Sequence, residues 1–221
     1  MTVDQLKEAA AQAAASLVSS GMVVGLGTGS TAKFAVDALA RRMREENLRF
    51  IGIPTSEATA NQARGLGIPL TNLGDHPVID LAIDGADEIV TKTRNLIKGR
   101  GGALLREKIV ESAAKQLIII ADDSKLVEKL GSKMPVPVEV IQFGWQSTAR
   151  KLESLGAKVV LRTNFTTDSG NVILDCAFQP IADPETLARE IDSIVGVVEH
   201  GLFLGMATKI FVAAGTEIQT F

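Results

Sequence analysis

Short apolar runs, each followed by small or hydroxyl residues and then by a helical stretch, recur along the first 130 residues. In residues 1–20, Leu6, Ala10, Ala13, Ala14 and Leu17 fall on roughly one face of a helix that Asp4 is placed to cap and Gly21 to end. The run 22–26 reads as a strand that passes through Gly27, Thr28, Gly29, Ser30 and Thr31 into a helix carrying Phe34, Val36, Ala38, Leu39 and Met43. Residues 48–53 give a second strand, ended by Pro54, Thr55 and Ser56 before a helix over 57–64, and 68–70 is at most a short strand. A further apolar run, 78–83, delivers Asp84 to a strand end. The periodicity then predicts a helix over 103–115 with Leu104, Ile109 and Ala113 inward and a charged opposite face. Residues 117–121 read as a strand, and 122–125 as a capped turn into a helix over 126–130. Strand, turn and helix in this alternation predict a mostly parallel α/β sheet.

The pattern changes after 131. Strands over 138–143, 157–162, 171–177 and 197–202, with helices over 146–155 and 184–194, give the order βαββαβ, the ferredoxin-like pattern. We therefore expect an α/β fold in which a Rossmann-like large domain, 1–130 completed by 203–221, carries an inserted smaller ferredoxin-like α+β domain, 131–202.

Composition narrows the function classes. The chain has 221 residues with 46% hydrophobic and 22% charged residues, enough for a sizeable core under a soluble surface. A net charge of -3 and only 4% aromatics argue against a nucleic-acid partner, which would need a basic field or stacking platforms. Cys176 is the only cysteine, so no intrachain disulfide forms, and His76 and His200 lie in no ligand-spaced group, so no metal site is expected. Both histidines read as structural or surface residues. With no long apolar span and no leader pattern, a cytoplasmic protein without a membrane partner is expected.

Candidate chemistry gathers in two places. The turn at Gly27, Thr28, Gly29, Ser30 and Thr31 offers amides and hydroxyls ahead of a helix, as either a phosphate or carboxylate site or a tight structural turn. It has neither the lysine of the nucleotide P-loop nor the third glycine of the dinucleotide fingerprint. Ser56 and Thr59 either add hydroxyls to that turn or belong to a helix start. The stretch 84–108 combines Asp84, Asp87, Lys98 and Glu107 with Gly99, Arg100, Gly101 and Gly102. Paired carboxylates divide proton transfer from orientation, and a cation beside glycine amides stabilises oxygen charge; the alternatives are a solvated acidic turn and a surface counter-charge. Lys125, in the turn after the strand 117–121, is electrostatically awkward at a helix start unless its ammonium meets a phosphate.

The ordered set GLGTGSTA at 25–32, TSEAT at 55–59, DGADE at 84–88, IKGRGGALLREK at 97–108 and ADDSK at 121–125 resembles the type A ribose-5-phosphate isomerases, over essentially the whole chain. Arg100 departs from the family's frequent IKGGG arrangement. The resemblance implies an aldose-ketose isomerase that interconverts D-ribose 5-phosphate and D-ribulose 5-phosphate through an enediolate, with no cofactor and no metal. It implies Glu107 as general base and acid between C2 and C1. Lys98 with the amides of Gly99, Arg100, Gly101 and Gly102 is implied for the O1 and O2 charge, and Asp84 for ring opening, with Asp87 orienting hydroxyls or sharing that role. It implies a phosphate set of Lys7, Gly27, Thr28, Gly29, Ser30, Thr31 and Lys125, and a homodimer or dimer-based tetramer. The competing class is a sugar-phosphate-sensing regulatory domain, which binds the phosphorylated pentose but has no use for Asp84, Lys98 and Glu107 together.

Overall fold

Thr2, not Asp4, starts the first helix in the computed structural model, which describes residues 1–221. The Thr2 hydroxyl accepts the Gln5 amide at 3.3 Å and the Gln5 side-chain oxygen accepts the Thr2 amide at 2.8 Å, a reciprocal capping box that leaves Asp4 in the first turn. In chain order the elements are α1 (Val3–Ala15), β1 (Val23–Leu26), α2 (Ala32–Glu45), β2 (Ile51–Pro54), α3 (Glu57–Gly65), β3 (Leu81–Gly85), β4 (Glu88–Val90) and β5 (Asn95–Ile97). Then come α4 (Leu104–Ser112), β6 (Leu117–Asp122), β7 (Val136–Val140), α5 (Trp145–Ser154), β8 (Lys158–Leu161), β9 (Val172–Ala177) and α6 (Pro184–Asp192). β10 (Val197–His200), β11 (Leu202–Phe203), β12 (Lys209–Ala214) and β13 (Glu217–Thr220) complete the chain.

The contacts divide these elements into two units. The first, Met1–Ala86 with Arg106–Lys125 and Met206–Phe221, is built on a six-stranded sheet of order β13-β12-β6-β3-β1-β2. Every neighbouring pair is parallel except the β12–β13 hairpin at the edge. All of β6 is buried, as expected of a parallel strand covered on both faces. α1 packs on β6 and β12 with Ala10, Ala11, Ala14 and Ala15 buried, small side chains that let the helix lie close to the sheet. After β1 the chain moves to β2 on one side, and after β3 to β6 on the other. The loops at the carboxyl ends of β1 and β3 therefore diverge, and that crevice is where open α/β sheets bind ligands.

Asp80 sets the register at the opposite end of the same two strands. Its Oδ2 accepts the Val23 amide at 3.0 Å, its Oδ1 accepts the Lys115 ammonium at 2.8 Å, and its own amide donates to the Val23 carbonyl at 2.9 Å. The hydrogen bond from Lys115, then that from Val23, holds the carboxyl below its ordinary value of 3.8. A lowered folded-state pKa adds stability above the unfolded pKa that is lost as the pH falls through the folded value. Asp80→Asn is accordingly expected to cost about 1 kcal/mol at neutral pH, one hydrogen bond's net worth. In urea titrations of the two proteins, the gap should close below the ordinary carboxylate range.

The second unit, Asp87–Leu105 with Leu126–Gly205, holds a four-stranded antiparallel sheet of order β10-β7-β9-β8. With α5 and α6 the chain order is βαββαβ, and Val138, Leu152, Leu174, Cys176 and Ile191 are fully buried in its core. Burial, then the Asp175 charge, pushes the Cys176 thiol up to about 12, an inert core group. A separate three-stranded sheet of order β11-β5-β4 joins two short strands just ahead of Gly99 to the end of the second unit. These pairings place 87–105 and 126–130 in this unit, whereas the sequence reading started it at 131.

Other local expectations shift for physical reasons. Ile109 is 47% exposed, whereas Val110, Glu107 and Glu111 are buried, so α4 turns an acidic side inward. No helix forms over 126–130; a 3-10 turn, Asp123–Lys125, is followed by a bridge between Leu126 and Ile89. The strand expected over 197–202 breaks at Gly201, where a Cβ would lie 2.3 Å from the Lys98 carbonyl, and Leu202 continues in the other sheet.

Candidate active site

At the divergence of β1 and β3, Gly27 and Asp84 meet. The Gly27 amide donates to the Ile83 carbonyl at 3.0 Å, and a Cβ on Gly27 would fall 2.2 Å from the Asp84 carboxyl carbon. Only a glycine lets the carboxylate lie over the turn. Asp84 is 1% exposed, and its Oδ1 accepts the Thr28 amide at 3.0 Å and the Gly85 amide at 2.6 Å. The carboxylate is thereby fixed in direction by backbone from both strand ends.

Thr28 knots the turn to the end of β2. Its Oγ1 lies 2.6 Å from Thr55 Oγ1, 2.8 Å from Ser56 Oγ and 3.2 Å from Thr59 Oγ1, and the Thr59 hydroxyl donates to the Gly27 carbonyl at 2.9 Å. The Ser56 oxygen also accepts the Thr59 amide at 3.1 Å as the N-cap of α3, so both readings of Ser56 hold at once. The Thr28 hydroxyl is engaged inside the fold. Beyond it, Gly29 takes a φ of +113°, Ser30 is exposed, and Thr31 precedes α2 without a side-chain capping bond. Ser30 and Thr31 stand with the first amides of α2 at the open end of the turn, where the geometry of a helix N-terminus favours an anion.

The same unit positions Glu107, Lys125 and Lys7. Glu107 is 4% exposed on the first turn of α4, beside Arg106, which reaches Glu57 of α3 at 3.0 Å. Lys125 closes the 3-10 turn that follows the buried β6, where Asp122 Oδ1 accepts the Ser124 amide at 3.1 Å. Lys7 is 15% exposed on α1, with Asp4 3.7 Å away.

In the second unit Lys98 is 2% exposed, its amide donates to the Gly201 carbonyl at 2.9 Å, and its Nζ lies 5.3 Å from the Phe203 ring centre. Gly99 and Gly102 take φ of +99° and +81°, closing a turn in which the Gly102 amide donates to the Gly99 carbonyl at 2.9 Å. The Arg100 amide donates to Asp87 Oδ2 at 2.9 Å. Against the expectation that all four amides of this turn face a ligand, those of Arg100 and Gly102 are used within the protein. One oxygen of Asp87 is likewise committed to the turn. Phe165 packs where a Gly102 side chain would be, at 2.1 Å from a built Cβ, and Arg162 donates to the Arg100 carbonyl at 3.0 Å. Neither residue was legible in the sequence, because a single arginine or phenylalanine in a loop carries no spacing signal.

The histidines are held by structural bonds. His76 Nδ1 lies 2.9 Å from Thr71 Oγ1, and His200 Nδ1 accepts the Leu202 amide at 3.1 Å while Nε2 lies 3.3 Å from Asp192. Asp192, Glu199 and His200 cluster closely, but a ring that accepts at Nδ1 carries its proton on Nε2 and has no lone pair for a metal there.

No helix is long and apolar enough to cross a membrane. Comparison with known proteins gives one consistent result. The family described as "Ribose 5-phosphate isomerase A (phosphoriboisomerase A)" matches residues 51–217. A ribose-5-phosphate isomerase A of Synechococcus sp. (strain JA-3-3Ab) is 60% identical over 224 residues, covering 99% of this chain and 97% of its own. The solved ribose 5-phosphate isomerase A of Methanocaldococcus jannaschii superposes with a TM-score of 0.95 at 42% identity, over 100% of this chain and 99% of that one. A D-ribose-5-phosphate isomerase solved in complex with phospho-erythronic acid gives 0.97 at 37% identity, over 100% and 99%. With whole-length matches of this kind, the chain belongs to the ribose 5-phosphate isomerase A family.

Proposed function

We propose that this chain interconverts D-ribose 5-phosphate and D-ribulose 5-phosphate, with Glu107 carrying a proton between the two reacting carbons. The observation that carries the reading is a buried carboxylate, 4% exposed, on the first turn of α4, in the same unit as Asp84 and the hydroxyl-bearing turn at the sheet's switch point. Helix backbone fixes such a base better than a loop does.

In the open-chain aldose the C2–H bond is acidified by the C1 carbonyl. Glu107 takes that proton, the C2–H electrons form a C1=C2 bond as the C1=O electrons move onto O1, and the hydroxyl proton of O2 passes to O1 across the enediolate. Returning the carbon-bound proton from Glu107 to C1 leaves a hydroxymethyl at C1 and a carbonyl at C2. Proton count and electron count are unchanged between substrate and product, so the reaction needs no electron acceptor. By the family's pattern, Lys98 with the amides of Gly99 and Gly101 is assigned to the developing oxygen charge, a contribution of roughly 3 kcal/mol per well-placed donor. Asp84, fixed by two amides, is assigned to proton transfer in opening the furanose ring. Asp87 is assigned to the sugar hydroxyls through the oxygen not given to Arg100. A relative's complex with phospho-erythronic acid supports this division, since that ligand carries both a carboxylate and a phosphate.

Ser30, Thr31, the amides of Gly29 to Thr31, Lys7 and Lys125 are proposed to hold the phosphate, with the Thr28 hydroxyl and Ser56 bracing the turn from inside and the Gly27 and Thr28 amides given to Ile83 and Asp84. Lys125→Ala is expected to raise KM for ribose 5-phosphate by about 10-fold, or 1.4 kcal/mol, with kcat little changed. Inorganic phosphate should lose affinity as a competitive inhibitor in parallel. Equal kcat and phosphate inhibition in wild type and variant would remove Lys125 from the set. Assembly as a homodimer or dimer-based tetramer is part of the same proposal, and the exposed Ile141, Phe143 and Val195 of the second unit are apolar surface that association would cover.

The direct test of the activity is ribulose 5-phosphate formation from ribose 5-phosphate with a chelator present and no nicotinamide. Product at enzymatic rates is the expected result; substrate binding without conversion would reassign the chain to sensing.

A further inference from the structure

The turn at Gly99 to Gly102 needs a clamp, because glycines that free the backbone to approach a ligand also leave it free to move. Its neighbours in the second unit supply one. Arg162, just past β8, makes a two-pronged pair with Asp175 of β9, Nη2 to Oδ1 at 2.6 Å and Nε to Oδ2 at 3.0 Å. The remaining Nη1 donates to the Arg100 carbonyl at 3.0 Å and reaches the Gly99 carbonyl at 3.5 Å. The guanidinium lies 5.4 Å from the centre of the Phe165 ring, and that ring fills the space beside Gly102. A cavity of about 260 Å³ is walled by Asp87, Arg100, Arg162 and Asp175 together.

Peptide planarity converts these contacts into a statement about amides. In a trans peptide the C=O and the following N–H point in opposite directions. The Gly99–Arg100 peptide is gripped at both ends, its carbonyl by the Gly102 amide and Arg162, its amide by Asp87. The Arg100–Gly101 peptide is gripped by Arg162 at its carbonyl, so its N–H, the Gly101 donor, is turned away from the guanidinium. We propose that Arg162, oriented by Asp175, is a positioning residue of the isomerase: it sets the peptide planes of the glycine turn and thereby aims the Gly101 amide at the developing oxygen charge. The proposal rests on the reading of this turn as the oxygen-binding element. A lysine in its place would keep the charge but lack the planar fork that spans an acid and two carbonyls.

The test is kinetic. Arg162→Gln is expected to lower kcat by about 10- to 100-fold, the scale of a displaced catalytic donor. KM and inhibition by inorganic phosphate should stay within about threefold, since phosphate binding is assigned elsewhere. Arg162→Lys should recover little of the loss, and the Gly102 amide should exchange faster with solvent deuterium in both variants. Asp175→Asn, which keeps the arginine, should lose less, and the double variant should lose no more than Arg162→Gln, because both act through one clamp. A folded Arg162→Gln with wild-type kcat, an Arg162→Lys with wild-type kcat, or equal losses in kcat and phosphate affinity would each overturn the assignment. If Arg162→Gln does not fold, Asp175→Asn decides: unchanged kcat overturns the clamp and a selective fall supports it. Glu107→Gln run in parallel separates the two levels, since an active Glu107→Gln sinks the proton-transfer reading, whereas an inactive one beside a fully active Arg162→Gln sinks only the clamp.

Discussion

Glu107→Gln is expected to lower kcat by about 100-fold or more, the range lost with a positioned proton-transfer group. The change is nearly isosteric, so the helix and its burial should survive, and a melting temperature close to that of the parent is the companion result. Phosphate binding should also survive, because Ser30, Thr31 and Lys125 lie on other loops than α4. The combination of a collapsed kcat, intact fold and unchanged inhibition by inorganic phosphate isolates the proton transfer. Turnover near that of the parent would take the base role away from this residue.

The second large effect is expected at a residue without a side chain. Gly27→Ala would place its methyl 2.2 Å from both Cγ and Oδ1 of Asp84 and 2.6 Å from Asp84 Cβ. No rotamer of alanine avoids this, so either the ends of β1 and β3 part or the carboxylate swings off the Thr28 and Gly85 amides. Overpacking of this sort costs about 1–3 kcal/mol. Activity should fall by about 100-fold through the misplaced acid, even at a temperature where the variant is fully folded. Adding Asp84→Gly removes both the carboxyl group and the Cβ that the methyl would strike, so the double variant should regain part of the stability and none of the activity. Denaturation and steady-state assays on the four proteins of this cycle settle the point, and a Gly27→Ala enzyme with parental stability and rate would mean that the crowding is relieved at no cost.

The parallel sheet was largely legible in the sequence because its strands are buried on both faces and read as unbroken apolar runs, as in 117–121, which forms the body of β6. Boundaries shifted where an apolar residue is not inside: Val78 opens the run 78–83 but is 52% exposed, and β3 begins at Leu81. The small sheet of β4, β5 and β11 was missed because strands of two or three residues, interspersed with Glu88, Asn95 and charged loop residues, are too short to show a period of two. The capping of α1 went to Thr2 because a hydroxyl with Gln5 three residues on satisfies two amides, which Asp4 does not.

The miss on α4 is the informative one. Hydrophobicity phases the helix by Leu104, Ile109 and Ala113, but Ile109 is exposed and two glutamates are buried instead. A rule that sends charge outward fails on this helix, and the proposed proton-transfer role of Glu107 would account for one of the two buried carboxylates. For the turns, the motifs located the donors but not their use. That the Arg100 amide goes to Asp87, and the Gly102 amide to Gly99, depends on φ values and on partners brought in from elsewhere in the chain.

The central claim is that one carboxylate lifts the proton from C2 and sets it down on C1. Running the conversion of ribose 5-phosphate in heavy water reads that transfer directly, since an acid exposed to solvent exchange between the two steps delivers deuterium. Ribulose 5-phosphate carrying deuterium at C1 with the parent enzyme, and no incorporation above background with Glu107→Gln, is the result predicted; incorporation at the parental rate by Glu107→Gln would contradict it.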